Sequence, residues 1–198
     1  MKPFLLRFIL LLLVGSLPLE AAPSIPTTVV SAYFSPNGGC TEAIVEALNT
    51  AKTTILVQAY SFTSAPIAKA LVEAHKRHVD VQVILDKSQR TERYSGATFL
   101  SNEGIPVFID DAHKIAHNKV MVVDGKTVIT GSFNFTKSAE EGNAENLLVI
   151  SNAPELAQRY TANWKEHLGH SGSLSKGITD TMPFCDIVGV LLSGSCAN

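Results

Sequence analysis

Four polar side chains interrupt an otherwise apolar stretch of the sequence. The stretch, AHNKVMVVDGKTVITGSFNFT, covers residues 116–136, and its polar members are His117, Lys119, Ser132 and Asn134. The dipeptide Asp124-Gly125, set between two β-branched runs, predicts a hairpin with a two-residue turn. Such a turn would pair His117 with Ser132. The hairpin would then gather an imidazole, a cation and two neutral donors on one face.

This set of groups suits chemistry on a phosphate. A lysine and neutral donors can hold negatively charged oxygens, and a neutral imidazole can attack phosphorus or transfer a proton. No cysteine lies nearby, and the residue order is not that of a serine-base-acid site. The pattern therefore predicts a phosphoryl-transfer site that needs no metal.

A zinc site is the alternative for the same part of the chain. His113 and His117 are four residues apart, a spacing that could ligate zinc on a helix. Pro106 and the β-branched pattern argue against a helix there, so no metal site is predicted. The other histidines are expected at the surface, near helix ends or in loops: His75, His78, His167 and His170.

Alternating strands and helices must position the polar groups. Strand patterns cover 27–35, 53–62, 79–86, 105–110 and 144–151, and helical patterns cover 41–52, 65–77, 91–104 and 153–169. Thr41 and Asn152 are expected to cap the first and last of these helices. The pattern predicts one α/β domain, with a central mixed, largely parallel β-sheet flanked by helices on both faces.

The two ends of the chain differ from its body. Residues 1–22 carry Lys2 and Arg7, then an apolar run from Phe8 to Leu19, then small residues. This is the layout of a secretory signal peptide, with cleavage expected within 21–25. An uncleaved anchor is the alternative, although a spanning helix needs about 20 apolar residues. Residues 169–198 form a Gly- and Ser-rich tail, which leaves 23–168 as the predicted domain.

Charge and cysteine content narrow the possible partners. The net charge is −2, and loss of residues 1–22 would leave −3. Because nucleic-acid-binding domains are usually basic, a polyanion would have to meet a local cluster here. Cys185 and Cys196 could form a disulfide in an exported protein, and free thiols are the alternative for these two and for Cys40.

The segment HNKVMVVD fits the pattern H-x-K-x4-D through His117, Lys119 and Asp124, and GSFNF follows at 131–135. Together they resemble the motif of the phospholipase D superfamily, and most of all its small, single-motif bacterial members, the secreted or periplasmic endonucleases. The similarity extends over AYSFT, ALVEAHKRHVDVQVILD and AENLLVI, within residues 28–168. It implies the phospholipase D-like fold and a metal-independent phosphodiesterase without cofactors.

The resemblance also implies roles for single residues. One His117 would be the nucleophile that forms a phosphohistidine. Because the motif occurs once, a two-fold homodimer would supply a second His117 as the acid and later as the base. Lys119 and Asn134 would bind the phosphate, and Ser132 would support it. Glu145 would hold the other nitrogen of the histidine.

The remaining residues of interest have less specific roles. Asp124 lies in the turn at the far end of the hairpin, so we expect it to be structural. Basic residues around the motif could contact a phosphate backbone without reading bases, or could be solvated surface charges: Lys87, Arg90, Arg93, Lys114 and Lys137.

The predicted function is that of a periplasmic or secreted, non-specific endonuclease acting as a homodimer on DNA or RNA. A phospholipase that acts on lipid phosphodiesters is one alternative. A binding protein that has the fold but no catalysis is another, and the intact set of site residues argues against it.

Overall fold

The computed structural model describes residues 27–91 and 96–174, which form eight strands and five α-helices. The strands are β1 (Val29–Phe34), β2 (Thr54–Ala59), β3 (Asp80–Asp86), β4 (Val107–Asp110), β5 (Lys119–Val123), β6 (Thr127–Gly131), β7 (Asn146–Ser151) and β8 (Gly172–Ser173). The helices are α1 (Cys40–Thr50), α2 (Ala65–Lys76), α3 (Gly96–Asn102), α4 (Lys137–Glu141) and α5 (Pro154–His170). None of the helices in these two ranges has the length and apolar character needed to cross a membrane.

All eight strands belong to one mixed sheet, in the order β1-β7-β6-β5-β2-β3-β4-β8. Only β2–β3 and β3–β4 pair in parallel, and the other neighbours are antiparallel. The predicted α/β fold with a mixed sheet is confirmed, but the sheet is not largely parallel. The reason is that β5, β6 and β7 follow one another up and down, with no crossover that returns the chain to the same edge.

Helices cover both faces of the sheet, as predicted. On one face α1, α2 and α3 enclose the main core with alternate residues of the central strands, among them Val57, Met121 and Ile129. On the other face α5 covers a second cluster that includes Val120 and Val122. Because side chains alternate along a strand, Lys119 shares the face of Met121, toward the main core.

The helix α5 is tied to the middle of the sheet. Trp164, the single tryptophan of the chain, is buried, and its Nε1 donates a hydrogen bond to the carbonyl oxygen of Val57 in β2 (2.9 Å). An indole buried in this way gains both apolar contact and a partner for its N–H group. The C-terminal half of α5 is therefore fixed over β2.

Two predicted helix caps are wrong. Ala153 is the N-cap residue of α5, because Asn152 has a left-handed backbone (φ 55°) rather than the extended backbone of an N-cap. Thr41 lies inside α1, whose N-cap is Gly39. The backbone N–H of Thr41 instead donates to Oε2 of Glu140 (2.7 Å).

The turn of the β5–β6 hairpin is one residue longer than predicted. Val123 pairs with Thr127, so the loop holds residues 124–126. Lys126 belongs to this loop because its carbonyl oxygen accepts a hydrogen bond from Ala153, ahead of α5 (2.8 Å). The shift by one residue sets Lys119 level with Gly131. The predicted pairing of His117 with Ser132 is therefore wrong.

Several predictions fall outside the described residues: the signal peptide at 1–22, Arg93, both tail cysteines and the tail from 175 onward. At the tail boundary, α5 continues to His170, and Gly172–Ser173 pair with β4, so the fold extends past residue 168. Cys40 is fully buried with a free thiol. Its burial, with nearby carboxylates such as Glu140, raises the pKa of the thiol to about 11.

Candidate active site

The polar groups of the hairpin lie at one edge of the sheet. The parallel strands β2, β3 and β4 end at this edge, β5 begins there and β6 ends there. Backbone contacts tie the edge together: the N–H of Tyr60 donates to Asn118 (2.9 Å), and Phe62 forms a parallel bridge with Phe135. The carboxyl ends of parallel strands are the usual place for ligands in open α/β sheets.

His117 and Lys119 are in direct contact there. Lys119 is 6% exposed, and its Nζ lies 3.2 Å from Nδ1 of His117 and 3.0 Å from the carbonyl oxygen of the same residue. No ion pair joins this ammonium to a carboxylate among the described residues. Burial lowers the pKa of Lys119, while the charge of Glu145 opposes that shift. A buried cation without a bonded counter-ion is costly, and a phosphate would supply the missing charge.

The contact between the two side chains restricts the tautomer of His117. An ammonium has only donors, so Nδ1 must accept the hydrogen bond, and a neutral ring then carries its proton on Nε2. In that form Nε2 carries a hydrogen and has no free lone pair with which to attack phosphorus. To attack through Nε2, the ring must instead carry its proton on Nδ1, which requires an acceptor in place of Lys119.

Ser132 lies just after a bulge at the end of β6. The N–H groups of Ser132 and Phe133 both donate to the carbonyl oxygen of Asn146 (3.1 Å each), as in a β-bulge. Gly131, with φ 152°, makes this approach possible, because a Cβ atom there would lie 2.2 Å from the same oxygen. Oγ of Ser132 accepts hydrogen bonds from the backbone and side-chain N–H groups of Asn146 (3.0 and 3.2 Å). The serine thus orders the start of β7.

Asn134 has an unpaired buried atom. Its Oδ1 is buried and has no hydrogen-bond partner among the described residues, at a cost of about 1–3 kcal/mol. A capping role is excluded, because Thr136 is the N-cap of α4 and its side chain accepts from Ala139. The unsatisfied amide is therefore free to form a hydrogen bond with a ligand.

Glu145 is positioned by its backbone. Its N–H donates to Oγ of Ser35 (3.2 Å), and its carbonyl oxygen accepts from the N–H of Ser35 (3.0 Å). Oε1 accepts from Nδ2 of Asn143 (3.2 Å). Within the described ranges no hydrogen bond joins this carboxylate to His117. Its negative charge nevertheless opposes the lowering of the pKa of Lys119 by burial.

Asp124 lies at the opposite end of the hairpin, away from this edge. Its carboxylate accepts hydrogen bonds from the N–H groups of Lys52, Thr53 and Thr54 and from Oγ1 of Thr53, at 2.7–3.2 Å. Burial alone would raise the pKa of Asp124, but these hydrogen bonds outweigh it and lower the pKa. The aspartate fastens the turn to the start of β2, which is a structural role.

The basic residues predicted around the motif mostly make contacts within the chain. Nζ of Lys87 donates to the carbonyl oxygen of His113 (2.8 Å), and Arg90 pairs with Asp111 (3.5 Å). Lys137 lies 3.8 Å from Glu141 on α4. Lys114 is exposed, two residues before the buried Ala116. Lys87 and Arg90 therefore brace the loop 111–118 that leads into His117.

Sequence reasoning assigned no role to Tyr60, although it belongs to the site. Its ring centroid lies 4.5 Å from that of His117, and Nζ of Lys119 lies 5.1 Å from the centroid of the same ring. The ring therefore restricts the side chains of His117 and Lys119 and adds a cation–π contact. Its place directly after a strand that ends at the site is the signal that could have identified it.

The zinc pair considered from the sequence is not formed. Residues 111–118 contain no helix, and Nδ1 of His113 is 3.0 Å from Oδ2 of Asp110, whereas His117 contacts Lys119. His167 and His170 lie at the end of α5, as predicted, and His170 is exposed, but His167 is mostly buried and both rings meet His113. Their ring centroids lie 4.9 and 5.0 Å from that of His113.

Comparisons with known proteins identify the family of this chain. Residues 44–168 match the family model described as the PLD-like domain of cardiolipin synthase. A phospholipase D of Rickettsia bellii is 43% identical over 143 residues, which cover 72% of this chain and 71% of the relative. The mitochondrial cardiolipin hydrolase of Xenopus laevis is 32% identical over 72% of this chain and 74% of its own length.

A solved structure gives the same result for the fold. Nuc from Salmonella typhimurium, a phospholipase D family member, superimposes with a TM-score of 0.72 at 42% identity, covering 74% of this chain and 98% of its own. The His–Lys contact thus occurs in a fold shared with that family. The chain belongs to the phospholipase D superfamily and is a phosphodiesterase of the phospholipase D type.

Proposed function

We propose that the chain is an exported endonuclease that hydrolyses nucleic acid phosphodiesters without a metal, through a phosphohistidine formed at a homodimer interface. The observation that carries this proposal is the buried Lys119 ammonium, which bonds His117 and has no bonded carboxylate partner among the described residues. A phosphate bound there would be neutralised by Lys119 and attacked by an adjacent imidazole.

The reaction has two steps. Nε2 of one His117 attacks phosphorus and forms a P–N bond as the P–O bond to the leaving oxygen breaks. The second His117, in its imidazolium form, gives its Nε2 proton to that oxygen and becomes a neutral imidazole. The same residue then removes a proton from water, which attacks phosphorus and releases the first imidazole. We assign Glu145 as the group that accepts the Nδ1–H hydrogen bond of the nucleophile and stabilises the cation that forms, because that tautomer needs an acceptor.

The acid in this scheme has to come from a second copy of the chain. The described residues contain one imidazole at the site, and an imidazole that attacks cannot also protonate the leaving group. Two exposed apolar side chains lie at the same edge: Phe34, at the end of β1, and Ile115, two residues before His117, are 65% and 52% exposed. A two-fold homodimer formed at this edge would bury both side chains and bring two copies of His117 to one phosphate.

Cleavage of lipid phosphodiesters is the second candidate. The same two side chains favour it, because exposed apolar groups beside a site can contact a bilayer surface. Relatives that are named phospholipase D and cardiolipin hydrolase share this fold. The nuclease is preferred because a lysine, an amide and an imidazole at an open sheet edge accept a phosphodiester from an extended polymer.

A single set of assays separates the candidates. The purified protein is incubated with plasmid DNA, RNA, and vesicles containing cardiolipin or phosphatidylcholine, each with and without EDTA, while circular dichroism monitors folding. We expect DNA or RNA cleavage that persists in EDTA and disappears in His117→Ala. His78→Asn is the matched control, because His78 is exposed, lies outside the site and has a left-handed backbone that asparagine tolerates.

The opposite outcomes are equally clear. Hydrolysis of vesicles without cleavage of nucleic acid would assign the lipid function instead. Loss of activity in EDTA by a protein that stays folded would contradict the metal-free mechanism. A fully active monomer, measured by light scattering at the assay concentration, would contradict the shared site. Activity recovered in the periplasmic or culture fluid rather than the cytoplasm would support export.

A further inference from the structure

A second group of chemistry-bearing side chains lies apart from the phosphodiesterase site. Asp110, His113, His167 and His170, which we call the His-Asp cluster, offer ligand atoms that all lie within 4.8 Å of one another. Asp110 ends β4, which is separated from β5 by β2 and β3 in the sheet. The cluster is therefore built on different strands from those that carry His117 and Lys119.

Three elements of the fold converge on one carboxylate. Asp110 is fully buried at the end of its strand. His167 and His170 are three residues apart in the last turn of α5, so they project from the same side of the helix. His113 reaches the cluster from the loop that follows β4. The pairing of β8 with β4 holds the end of α5 against this strand.

The distances in the cluster suit a metal ion. Oδ2 of Asp110 lies 3.0 Å from Nδ1 of His113, 2.7 Å from Nδ1 of His167 and 3.5 Å from Nε2 of His170. The three ring centroids are 4.9–5.2 Å apart. Ligand atoms about 3.3 Å apart are what a tetrahedral ion requires with zinc–ligand bonds of about 2.0–2.1 Å.

Hydrogen bonding alone accounts for only part of this arrangement. His113 and His167 are within hydrogen-bond distance of Asp110. His170 makes no hydrogen bond to the carboxylate among the described residues, yet its Nε2 lies 3.5 Å from the same oxygen. An ion in place of the imidazole protons would bind all four groups at once.

The surroundings already orient the ligands. Oδ1 of Asp110 accepts a hydrogen bond from the N–H of Ala112 (3.2 Å), and the carbonyl oxygen of His113 accepts from Nζ of Lys87 (2.8 Å). Oγ of Ser171 donates to the carbonyl oxygen of His167 (2.7 Å). Such outer contacts fix metal ligands in other proteins. The side chains of His113 and His170 are 47% and 34% exposed, which leaves a path for an ion to enter.

We propose that Asp110, His113, His167 and His170 bind one Zn²⁺ ion, and that the ion fastens the loop 111–116 to the end of α5. Three imidazoles and one carboxylate are ligands that favour zinc over calcium or magnesium. Four protein ligands close the coordination shell, so the site is structural and takes no part in phosphoryl transfer. Metal-free catalysis at His117 and zinc binding at the cluster are independent properties.

Metal uptake by the full chain tests this proposal. Protein without a histidine tag is stripped with a chelator, desalted and titrated with Zn²⁺ against a competing chromophoric chelator. We expect one zinc ion per chain, a rise in Tm on binding, and the intense visible bands of tetrahedral cobalt when Co²⁺ replaces zinc. His167→Ala and His170→Ala should weaken zinc binding by about 100-fold or more.

Controls keep the test decisive. His78→Asn removes a histidine outside the cluster and should bind zinc like the parent. Circular dichroism before titration confirms that each variant is folded, and His170→Ala, at the exposed end of α5, leaves the core intact. Failure of the stripped parent to take up zinc, or equal zinc affinity in the parent and in both alanine variants, would overturn the proposal. No substrate is used, so the outcome is separate from that of the nuclease assays.

Discussion

Nζ of Lys119 lies 3.2 Å from Nδ1 of His117 and 3.0 Å from its carbonyl oxygen, so one ammonium contacts both the ring and the backbone of the same residue. This contact fixes the ring and places a positive charge beside the imidazole that, in the proposed mechanism, attacks phosphorus through its other nitrogen. Such preorganised charge is usually the largest single contribution to catalysis.

Replacing Lys119 by methionine tests that contribution. Methionine keeps much of the side-chain length and apolar character but removes the charge, so we expect a fall in kcat of about 100- to 1,000-fold with the fold retained. Steady-state kinetics on a chromogenic phosphodiester measure the effect. Lys69→Met, at an exposed position on α2, is the matched control. A Lys119→Met enzyme that works as fast as the control would remove the lysine from the mechanism.

Substitutions at Ser132 and at Asn134 should differ in their effects on stability and on activity. Ser132 bonds Asn146, so Ser132→Ala should lower the free energy of unfolding by about 1 kcal/mol and reduce activity only modestly. Asn134→Leu removes an unsatisfied amide from the site, so it should raise KM and lower kcat without loss of stability. Urea unfolding and kinetics on both variants give the comparison. The reverse pattern would exchange the two roles.

Gly131 should not tolerate a side chain. Its φ of 152° is unfavourable for other residues, and a Cβ would lie 2.2 Å from the carbonyl oxygen of Asn146. Gly131→Ala should therefore destabilise the protein by more than about 1 kcal/mol and disturb the residues that follow it. Gly169→Ala is the control, because nothing lies within 4 Å of a Cβ there. As a helix residue, it should gain up to about 1 kcal/mol. Thermal unfolding of both variants measures the contrast.

Asp124 should make stability depend on pH without affecting catalysis. Its pKa is depressed in the folded protein. Its contribution to the free energy of unfolding is therefore fully present above the pKa of an unfolded aspartate, about 3.9, and is lost as the pH falls through the pKa of the folded state. Asp124→Asn should thus cost about 1–3 kcal/mol at pH 7 and progressively less below pH ~4. Urea unfolding at several pH values measures this.

The control for that experiment is Asp80→Asn, since Asp80 is exposed and, among the described residues, its carboxylate accepts hydrogen bonds only from the nearby Gln82. It should show little change at any pH. An Asp124→Asn penalty that is independent of pH would mean that the shape of the side chain, rather than its charge, fastens the turn.

The elements of the fold were largely predictable because their local signals agree. Apolar runs and helical spacing located most strands and helices. The alternation of side chains along a strand placed His117 and Lys119 on the same face. The register was off by one residue because the Asp-Gly signal specifies a two-residue turn, while Lys126 is held in the loop by Ala153, a contact distant in sequence. Local patterns contain no information about such a contact.

The site residues that belong to one hairpin could be predicted from residue type and spacing. Residues that are brought to the site by the order of the strands could not. His117, Lys119 and Asn134 are drawn from one hairpin. Tyr60 comes from another strand, and its ring meets His117 only because β2 and β5 are neighbours. The His-Asp cluster shows the same limit, since His113 and His167 are 54 positions apart in the sequence and are brought together by the packing of α5.

Trp164 has a practical consequence for anyone who studies this molecule. It is the sole indole in the polypeptide, it is a buried residue of α5, the helix that bears His167 and His170, and its Nε1 is hydrogen-bonded to β2. Intrinsic fluorescence therefore reports, without any label, how firmly that helix is seated. Emission should shift to the red as soon as the helix lifts, so a titration or a melting curve can be followed optically from a single buried reporter.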